Sequence, residues 1–389
     1  MSVTRTIVFS MYAGMLIPSS PGESADTIRI ATFNVALHGE RAGEMARKLT
    51  APGHVRAEKV AHIIRAVRPD ILLLNEFDYD AGGRVLDGFR RHYLEAPDGG
   101  PPPITYPHAF TAAVNTGVPS GFDLNGDGRR GEGAKDAFGY GLYPGQYGMA
   151  LLSRFPIERE HVRTFRRFRW ADMPGALGPA ALPEQAASRF RLSSKSHWDV
   201  PVRIGGATAH LLCAHPVPPV FDGPEDFNGR RNHDEIRFWA DYIGPARSAY
   251  IRDDAGVRGG LPEDARFVIL GDYNADPDHG QSRPGAIEQL LEHPRISTGK
   301  QPADKTAAWG LRVDYVLPSK TGWRVKAGRV FRPSNGEEGR AWITGPHASD
   351  HYLVWIDLEL KPIAPPSSRS SGRRGGVDRA GRSGADRAR

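Results

Sequence analysis

Residues 267–277 read FVILGDYNADP, and this stretch says most about the fold class. Phe267–Leu270 is a short, continuous apolar run, which is typical of a strand buried on both faces. A polar turn, Gly271-Asp272-Tyr273-Asn274, follows it at once. Acidic and amide side chains at the end of a buried strand either form an ordinary turn or belong to a site on the edge of a sheet.

The same arrangement recurs along the chain, where short apolar runs alternate with helical patterns. Arg56–Val67 and residues 236–243 carry apolar residues at helical spacing. Strands interleaved with helices predict an α/β sandwich with buried sheets. The other predicted strands are Ile28–Phe33, Ile71–Leu74, Met149–Leu152, Ala209–Cys213, Val313–Leu317 and Leu353–Leu358.

Polar residues stand at the ends of these predicted strands and form a coherent chemical set. Oxygen ligands of the kind that Mg²⁺ or Mn²⁺ prefers are Asn34, Glu76 and Asp350. The remaining candidates are His215, Asp272, Asn274, Asp314 and His351. Such a set predicts metal-assisted hydrolysis of a phosphoester.

Each remaining candidate has a chemical role in that prediction. His215 and His351 are candidates for general acid and base, or for donors to phosphoryl oxygens. Asp314 would hold one histidine in the right tautomer, Asp272 would accept a proton from water, and Asn274 would fix the nucleophile or a phosphoryl oxygen. Taken singly, each is better explained as a turn, cap or core residue. Their joint occurrence, in this order and at strand ends, favours a site.

Seven stretches resemble the endonuclease/exonuclease/phosphatase superfamily and follow its order over about residues 27 to 360. They are IRIATFNV, PDILLLNEFD, YGMALLSRFPI, HLLCAHP, FVILGDYNADP, LRVDYVLPS and SDHYLVWIDLEL. The resemblance implies an α/β fold, a four-layer α/β/β/α sandwich with two mixed β-sheets in a single catalytic domain. We expect that domain to span residues 26–360.

By the same resemblance, particular residues match the family's functional positions. Asn34 and Glu76 match its metal-binding pair, and Asp272 and Asn274 match its Asp-x-Asn pair. Asp314 and His351 match its Asp–His pair, with Asp350 beside that histidine. His215 matches a further histidine of pancreatic-type deoxyribonucleases, sphingomyelinases and inositol polyphosphate phosphatases, which the apurinic endonuclease branch typically lacks. Which histidine is the acid, and whether one metal acts or two, stay open.

The amino-acid composition excludes some structural and functional classes. The 389 residues include 51 basic and 45 acidic ones, for a net charge of +6, and one cysteine, Cys213, so an internal disulfide framework is excluded. Residues 361–389 hold eight basic and two acidic residues, which leaves 43 of each sign in residues 1–360. The body is therefore neutral, and composition does not predict a basic nucleic-acid surface.

The two ends of the chain differ from its body. Residues 1–25, with an apolar run over 6–17 and small residues after it, are typical of a signal peptide. We expect a secreted or periplasmic protein, with a cytoplasmic chain and a frayed N-terminus as the alternative. Residues 361–389 are rich in Arg, Gly and Ser and predict a disordered basic tail.

Two regions look like specialised insertions relative to the simplest family members, and a third, residues 228–234, opens the second predicted helix. Asp123–Asp127 has the Asp-x-Asn-x-Asp spacing of a calcium loop, with Ala134 where a bidentate Glu is expected, so Glu132 or Asp136 would have to substitute. We expect either a structural Ca²⁺ or a polar surface loop there. The other two are basic, and their charged side chains would either bind phosphate or substrate or be solvated. In the first of them Trp198 would either stack on a substrate ring or be packed, with the segment forming a long surface excursion. The first runs from 163 to 200 and contains Arg166, Arg167, Arg169, Arg189, Arg191, Lys195, His197 and Trp198; the second holds Arg230 and Arg231.

The leading function is divalent-metal-dependent hydrolysis of a phosphomonoester or phosphodiester, with a small or lipid substrate. One alternative is a nuclease that cleaves DNA or RNA, and another is a catalytically inactive binding module. The expected partner is the phosphoester substrate alone, and we expect a monomer.

Overall fold

The computed structural model describes residues 27–131, 133–178, 182–221 and 223–361. The signal-peptide prediction for residues 1–25 and the tail prediction for residues 362–389 lie outside these ranges. Among the described residues, no helix is long and apolar enough to cross a membrane.

Two mixed β-sheets form the centre of the fold. The larger has the order β10-β11-β1-β2-β4-β3, and the smaller has the order β5-β6-β7-β8-β9. In chain order, the strands are β1 (Thr27–Leu37), β2 (Ile71–Phe77), β3 (His108–Phe110), β4 (Met149–Ser153), β5 (Arg163–Thr164), β6 (His197–Ile204), β7 (Ala207–Ala214), β8 (Phe267–Asp272), β9 (Asp314–Pro318), β10 (Trp323–Val330) and β11 (Val354–Leu360).

Helices cover the outer faces of the sheets. The two long ones have buried apolar faces at helical spacing, as the sequence predicts. The described α-helices are α1 (Glu44–Lys48), α2 (Val55–Val67), α3 (Arg84–Phe89), α4 (Glu184–Ala187), α5 (Phe227–Tyr242) and α6 (Glu288–Leu291). A short π-helix, Arg90–Leu94, continues α3.

Three separate apolar cores give the molecule four layers. The middle core lies between the sheets, where Ile30 and Leu73 of the larger sheet share one cluster with Val200 and Leu270 of the smaller. Helices α1, α2 and α3 pack on the larger sheet. Helix α5 packs on the smaller sheet. This α/β/β/α arrangement in one domain confirms the predicted fold class.

Strand directions bring the polar strand ends to one edge of the sandwich. β1 runs parallel to β2, and β7 runs parallel to β8, so four carboxyl ends meet there. β9 is antiparallel to β8, and β11 is antiparallel to β1, so the amino ends of these two strands lie at the same edge. Sites of α/β proteins commonly lie at such an edge, outside the carboxyl ends of the strands.

All seven predicted strands are present, with bounds shifted by a few residues. The pattern of apolar runs in the sequence did not predict β3, β5, β6 and β10. β5 and part of β6 lie in residues 163–200, for which a surface excursion with solvated charges and a packed Trp198 was one of the two expectations. Trp198 of β6 is fully buried in the middle core, edge-on to Phe110 at 5.1 Å between ring centroids, so the expectation of a packed Trp198 is confirmed.

Candidate active site

Asp272 lies at the centre of the site and is almost fully buried. Its Oδ2 accepts a hydrogen bond of 3.0 Å from Asn34 Nδ2 and lies 3.4 Å from His215 Nε2 and 3.6 Å from His351 Nε2. Its Oδ1 accepts the backbone N–H of Asn274 at 2.9 Å. The fold therefore collects four of the predicted residues around the carboxylate of a fifth, Asp272.

His351 is held by a second carboxylate from β9. Its Nδ1 and Asp314 Oδ2 are 2.9 Å apart, and its backbone N–H donates to Ser349 Oγ at 3.1 Å. Trp309, half exposed, meets the imidazole edge-on, with ring centroids 4.9 Å apart. With Nδ1 bound to Asp314, the free nitrogen, Nε2, is the one that faces Asp272.

The two histidines stand in opposite electrostatic environments. Burial lowers the pKa of His351, but the charges of Asp314 and Asp272 outweigh burial and raise it above the ordinary value. Burial lowers the pKa of His215 well below its ordinary value, and the charges of Lys195 and His351 add to this. His215 Nδ1 is buried without a hydrogen-bond partner among the described residues. The site thus contains one imidazole that favours a proton and one that does not.

The carboxylate of Asp272 is buried away from solvent. Burial raises its pKa, the charge of His351 opposes this shift, and the charge of Asp314 adds to it. The two hydrogen bonds from Asn34 Nδ2 and the N–H of Asn274, together with the charge of His351, favour the ionised carboxylate, which is the form that can accept a proton.

Glu76 and Asn34 form the more open side of the site. Glu76 Oε1 accepts a 3.1 Å hydrogen bond from Asn34 Nδ2, and Glu76 Oε2 lies 3.6 Å from His38 Nε2. The Glu76 side chain is about a quarter exposed. Within the described part of the chain, the Oδ1 of Asn34 accepts the N–H of Ala36 alone, at 3.2 Å, and keeps a second lone pair. A solvent-accessible carboxylate beside an amide oxygen is a donor set that fits Mg²⁺ or Mn²⁺.

The backbone around the site is strained. Ala36, Glu76, Tyr147 and Asn274 all have φ between 46° and 55°, a left-handed conformation that costs side-chain-bearing residues energy. In β1 a bulge between Asn34 and Leu37 breaks the register with β2. Bulges and such strain are common beside active sites, where they aim a side chain away from the regular ladder.

Two predicted site residues, Asn274 and Asp350, direct their side chains away from the Asp272 carboxylate or make no contact with it. Asn274 is half-buried, and its Nδ2 donates to the carbonyl of Pro216 at 3.1 Å, so it ties the end of β8 to the loop after β7. Asp350 is exposed, and its carboxylate makes no hydrogen bond within the described residues. Its charge contributes to the raised pKa of His351. A metal-binding role for Asp350 stays a prediction.

The basic segment at 163–200 contributes one residue to the site, Lys195. Its side chain is buried, and its charge acts on His215, Glu76 and Asp272. His197 is instead buried between Ser193 and the carbonyl of Glu235. The arginines at 167, 169 and 189 are exposed. The substrate-binding interpretation is therefore wrong for His197 and for Trp198.

Arg230 and Arg231 bind backbone carbonyl groups. Arg231 is almost fully buried and donates to the carbonyls of Leu192 and Phe138. Arg230 donates to the carbonyl of Glu225 at 2.9 Å. These arginines hold the loops around α5 through contacts with backbone carbonyl groups, and a role in facing the substrate stays a prediction.

Glu235, on the same helix, was not singled out by the sequence. Its buried carboxylate accepts the N–H and the hydroxyl of Ser194 and, at 2.7 Å, the N–H of Val217. It therefore fixes both the segment before β6 and the loop that follows His215. The only sequence signal was an acidic residue on the apolar face of a predicted helix.

The predicted calcium loop brings three carboxylates together. Asp123, Asp127 and Asp136 have ligand atoms within 4.8 Å of one another. Of the two candidate substitutes for the missing glutamate, Asp136 is the one that joins the cluster, and Glu132 lies outside the described residues. Both oxygens of Asp136 already accept backbone N–H groups. A structural Ca²⁺ here stays a prediction.

The family model for the Endonuclease/Exonuclease/phosphatase family matches residues 31–351. The chain belongs to this family. Its members are generally hydrolases that act on phosphoester bonds and generally use divalent metals. No curated protein matches the sequence of this family member.

Solved structures with similar folds include other family proteins. One is the endonuclease/exonuclease/phosphatase from Beutenbergia cavernae DSM 12333 (18% identity, 86% of this chain, 72% of that chain, TM-score 0.49). A second is the human nocturnin catalytic domain (14% identity, 86% of this chain, 94% of that chain, TM-score 0.45). A third is sphingomyelinase C from Streptomyces griseocarneus (16% identity, 85% of this chain, 99% of that chain, TM-score 0.42). Similarity at this level says nothing about substrate.

Proposed function

We propose that this protein is a divalent-metal-dependent phosphoesterase that acts on a small or lipid phosphoester through attack by water. The observation that carries the proposal is the buried Asp272 with Asn34, His215 and His351 within 3.6 Å of one oxygen. A carboxylate in this position can orient a water molecule and take its proton. His351, held by Asp314, can donate a hydrogen bond to a phosphoryl oxygen or a proton to the leaving group.

Glu76 and Asn34 would hold the metal ion, either Mg²⁺ or Mn²⁺. When bound, the ion would supply positive charge to a phosphoryl oxygen. The strained backbone at Glu76 fits this role, because it turns the carboxylate out of the β2 ladder toward Asn34.

The surroundings of the site favour a small or lipid substrate. Residues 1–360 carry no net charge, and Trp309, which is half exposed, contacts His351. Apolar side chains beside a phosphate site suit an organic leaving group. An exported location remains our proposal from residues 1–25.

A nuclease would need a protein surface that contacts several phosphate groups of the nucleic acid. Nucleic-acid binding depends on several phosphate contacts and weakens steeply with salt, because each contact releases counterions. The binding of a small phosphomonoester should weaken much less as the salt concentration rises. The binding-module alternative has no support in the site, since every predicted position holds a residue type competent for catalysis.

The test is turnover by the purified full chain of p-nitrophenyl phosphate, bis(p-nitrophenyl) phosphate, sphingomyelin and plasmid DNA. Each is offered with Mg²⁺, Mn²⁺, Ca²⁺ or EDTA. We expect cleavage of a small or lipid substrate, its loss in EDTA, and a fall in kcat of at least ~10³-fold in Asp272→Ala and His351→Ala. His161→Ala, at an exposed position away from the site, is the matched control. DNA cleavage alone, suppressed by salt, would replace this proposal with a nuclease.

A further inference from the structure

His38 is a histidine on the metal-binding side of the site that the proposed chemistry leaves without a role. Its Nε2 lies 3.6 Å from Glu76 Oε2, which is too long for a hydrogen bond. Among the described residues, neither ring nitrogen of His38 makes a hydrogen bond. The side chain is 28% exposed, so the ring can be reached from solvent. A neutral imidazole has one nitrogen with a free lone pair, and this is the atom that binds a metal ion.

The alternation of β1 explains why His38 and Asn34 meet the same carboxylate. Phe33, Val35 and Leu37 belong to the core beneath α1, α2 and α3. Because successive side chains of a strand point to opposite faces, Asn34 and, directly after the strand, His38 point the other way. Asn34 Nδ2 donates to Glu76 Oε1 at 3.1 Å, while His38 approaches Oε2. The two side chains therefore flank Glu76, one at each carboxylate oxygen.

The backbone on both sides of His38 is held in place. The carbonyl of Leu37 accepts the N–H of Asp78 at 3.1 Å. The N–H of Gly39 donates to Asp78 Oδ2 at 2.9 Å, and the carbonyl of Gly39 accepts Gln146 Nε2 at 2.7 Å. A side chain presented from such a fixed backbone is pre-organised, which is what a metal site requires of its ligands.

The spacing of His38 and Glu76 fits two ligands of one ion. Donors that each lie about 2.1 Å from a metal ion are roughly 3.0 Å apart at a right angle and about 4.2 Å apart on opposite sides. The 3.6 Å between Nε2 and Oε2 falls inside this range. The ring of Tyr147 packs against the imidazole, with centroids 4.5 Å apart, and limits its rotation. The histidine thus needs no large movement to share an ion with Glu76.

We propose that His38 is a third metal ligand beside Asn34 and Glu76, so that the site takes a first-row transition-metal ion such as Mn²⁺ in preference to Mg²⁺. This inference rests on the proposed function, whose metal site it completes. Imidazole nitrogen is a common ligand of transition-metal ions, whereas Mg²⁺ takes oxygen ligands and keeps several waters. A donor set of one carboxylate, one amide oxygen and one imidazole therefore discriminates between the two ions.

The other two histidines of the site face Asp272 instead. His351 Nδ1 is bound to Asp314, and its Nε2 lies 3.6 Å from Asp272 Oδ2. His215 Nε2 lies 3.4 Å from the same oxygen. Both rings are almost fully buried, whereas His38 lies on the more open side of the site. His38 is therefore the histidine of the site that an arriving ion can reach.

An ordinary ion pair between His38 and Glu76 is the competing explanation, and it predicts the opposite effect of a substitution. A protonated His38 would compete with a metal ion for the Glu76 carboxylate, so its removal would strengthen the binding of any divalent ion. A ligand nitrogen would contribute to the binding of a transition-metal ion alone, so its removal would weaken that binding and spare Mg²⁺. Selectivity between two ions therefore separates the explanations.

The first test measures metal affinity and does not need turnover. Mn²⁺ and Mg²⁺ are each titrated by calorimetry into full-length wild type, His38→Ala and His161→Ala at about pH 8, where an ordinary imidazole is neutral. His161 is exposed away from the site and is the matched control. We expect His38→Ala to weaken Mn²⁺ binding about tenfold or more and to leave Mg²⁺ binding within about twofold. His161→Ala should change neither affinity.

The second test detects the nitrogen ligand directly. Pulsed electron paramagnetic resonance of the Mn²⁺-loaded protein resolves the hyperfine coupling of a coordinated imidazole nitrogen. Wild type and His161→Ala should show this coupling, and His38→Ala should lose it. His38→Gln, which keeps a polar side chain but has no imidazole, is the second variant should the alanine variant not fold, and it should lose the coupling as well.

The proposal is overturned if wild type does not bind Mn²⁺, if its bound Mn²⁺ shows no nitrogen coupling, or if the coupling persists in the His38 variants. It is also overturned if the substitution affects the two ions equally or tightens Mn²⁺ binding, as the ion pair predicts. Failure of the proposed function looks different. A nitrogen ligand that is lost with His38, in a protein that hydrolyses none of the tested phosphoesters, would refute that function and leave the metal site standing.

Discussion

His197 should make the stability of this protein sensitive to acid. Its imidazole is buried between Ser193 and α5, with Nδ1 2.6 Å from the Ser193 hydroxyl and Nε2 2.9 Å from the carbonyl oxygen of Glu235. A carbonyl can only accept, so Nε2 carries the hydrogen, and Nδ1 accepts from the serine. Both hydrogen bonds are therefore made by the neutral ring.

The magnitude follows from the pKa of this buried ring. Burial lowers the pKa of His197 from 6.5 to about 4, and the hydrogen bond to the carbonyl of Glu235 opposes the shift. Because the folded-state pKa is the lower one, the unfolded chain takes up its proton first as the pH falls. The stabilisation is complete above about pH 6.5 and is lost toward pH 4. Between pH 8 and pH 5 this linkage removes about 2 kcal/mol of unfolding free energy.

The assay is urea unfolding, followed by tryptophan fluorescence, at pH 8 and pH 5. His197→Gln is the matched variant, because its amide can still donate to the carbonyl of Glu235 but does not titrate. Other groups contribute to the pH dependence, among them Glu235, whose pKa burial raises. Comparing the two proteins removes these shared contributions. The fall in unfolding free energy should be about 2 kcal/mol smaller in the variant.

Equal falls in the two proteins would contradict this account of His197. They would mean that the imidazole titrates alike in the folded and unfolded states, and so that the ring is not held neutral between Ser193 and α5. The consequence would extend to the site, because Ser193 belongs to the segment that presents Lys195.

Three further predictions concern the metal, the Asp–His pair and the sheet. Glu76→Gln should weaken Mn²⁺ binding, measured by calorimetry, by about tenfold or more, since it removes the accessible carboxylate of the donor set; unchanged affinity would place the metal elsewhere. Asp314→Asn should lower the pKa of His351 in NMR titrations and reduce kcat about 10³-fold or more, because the anion 2.9 Å away is lost; an unchanged titration would argue against the pairing. Gly271→Ala should lower the unfolding free energy by about 2–3 kcal/mol, because its Cβ would lie 2.0 Å from a carbonyl oxygen of β7. Gly206→Ala, at a positive φ in open space, is the control, and an equal loss there would show that backbone strain alone is responsible.

The sequence was most informative where structure depends on neighbouring residues. A buried strand is visible as a local apolar run, and a turn residue directly after it is visible as well. The local pattern alone therefore places Asn34, His215 and Asp272 at strand ends. Short edge strands such as β3 and β5 have two or three residues and too little pattern to be recognised.

What the sequence could not show is which distant segments meet. The hydrogen bonds from Ser194 to Glu235 join residues 41 positions apart, and those from Asn34 to Asp272 join residues 238 apart. Nothing in the local pattern distinguished Lys195 from the arginines around it, because burial of a lysine is a property of its surroundings.

The strands, the polar residues that follow them and, through their order, the family of the fold could thus be inferred from the sequence. Three features arise from packing instead: the parallel pairs β1–β2 and β7–β8 end at one edge, Asp272 is the carboxylate that both histidines approach, and the Lys195 side chain is buried. The physical reason is that secondary structure is encoded by short-range periodicity, whereas charge, burial and hydrogen bonding depend on long-range contacts that form only when the chain is folded.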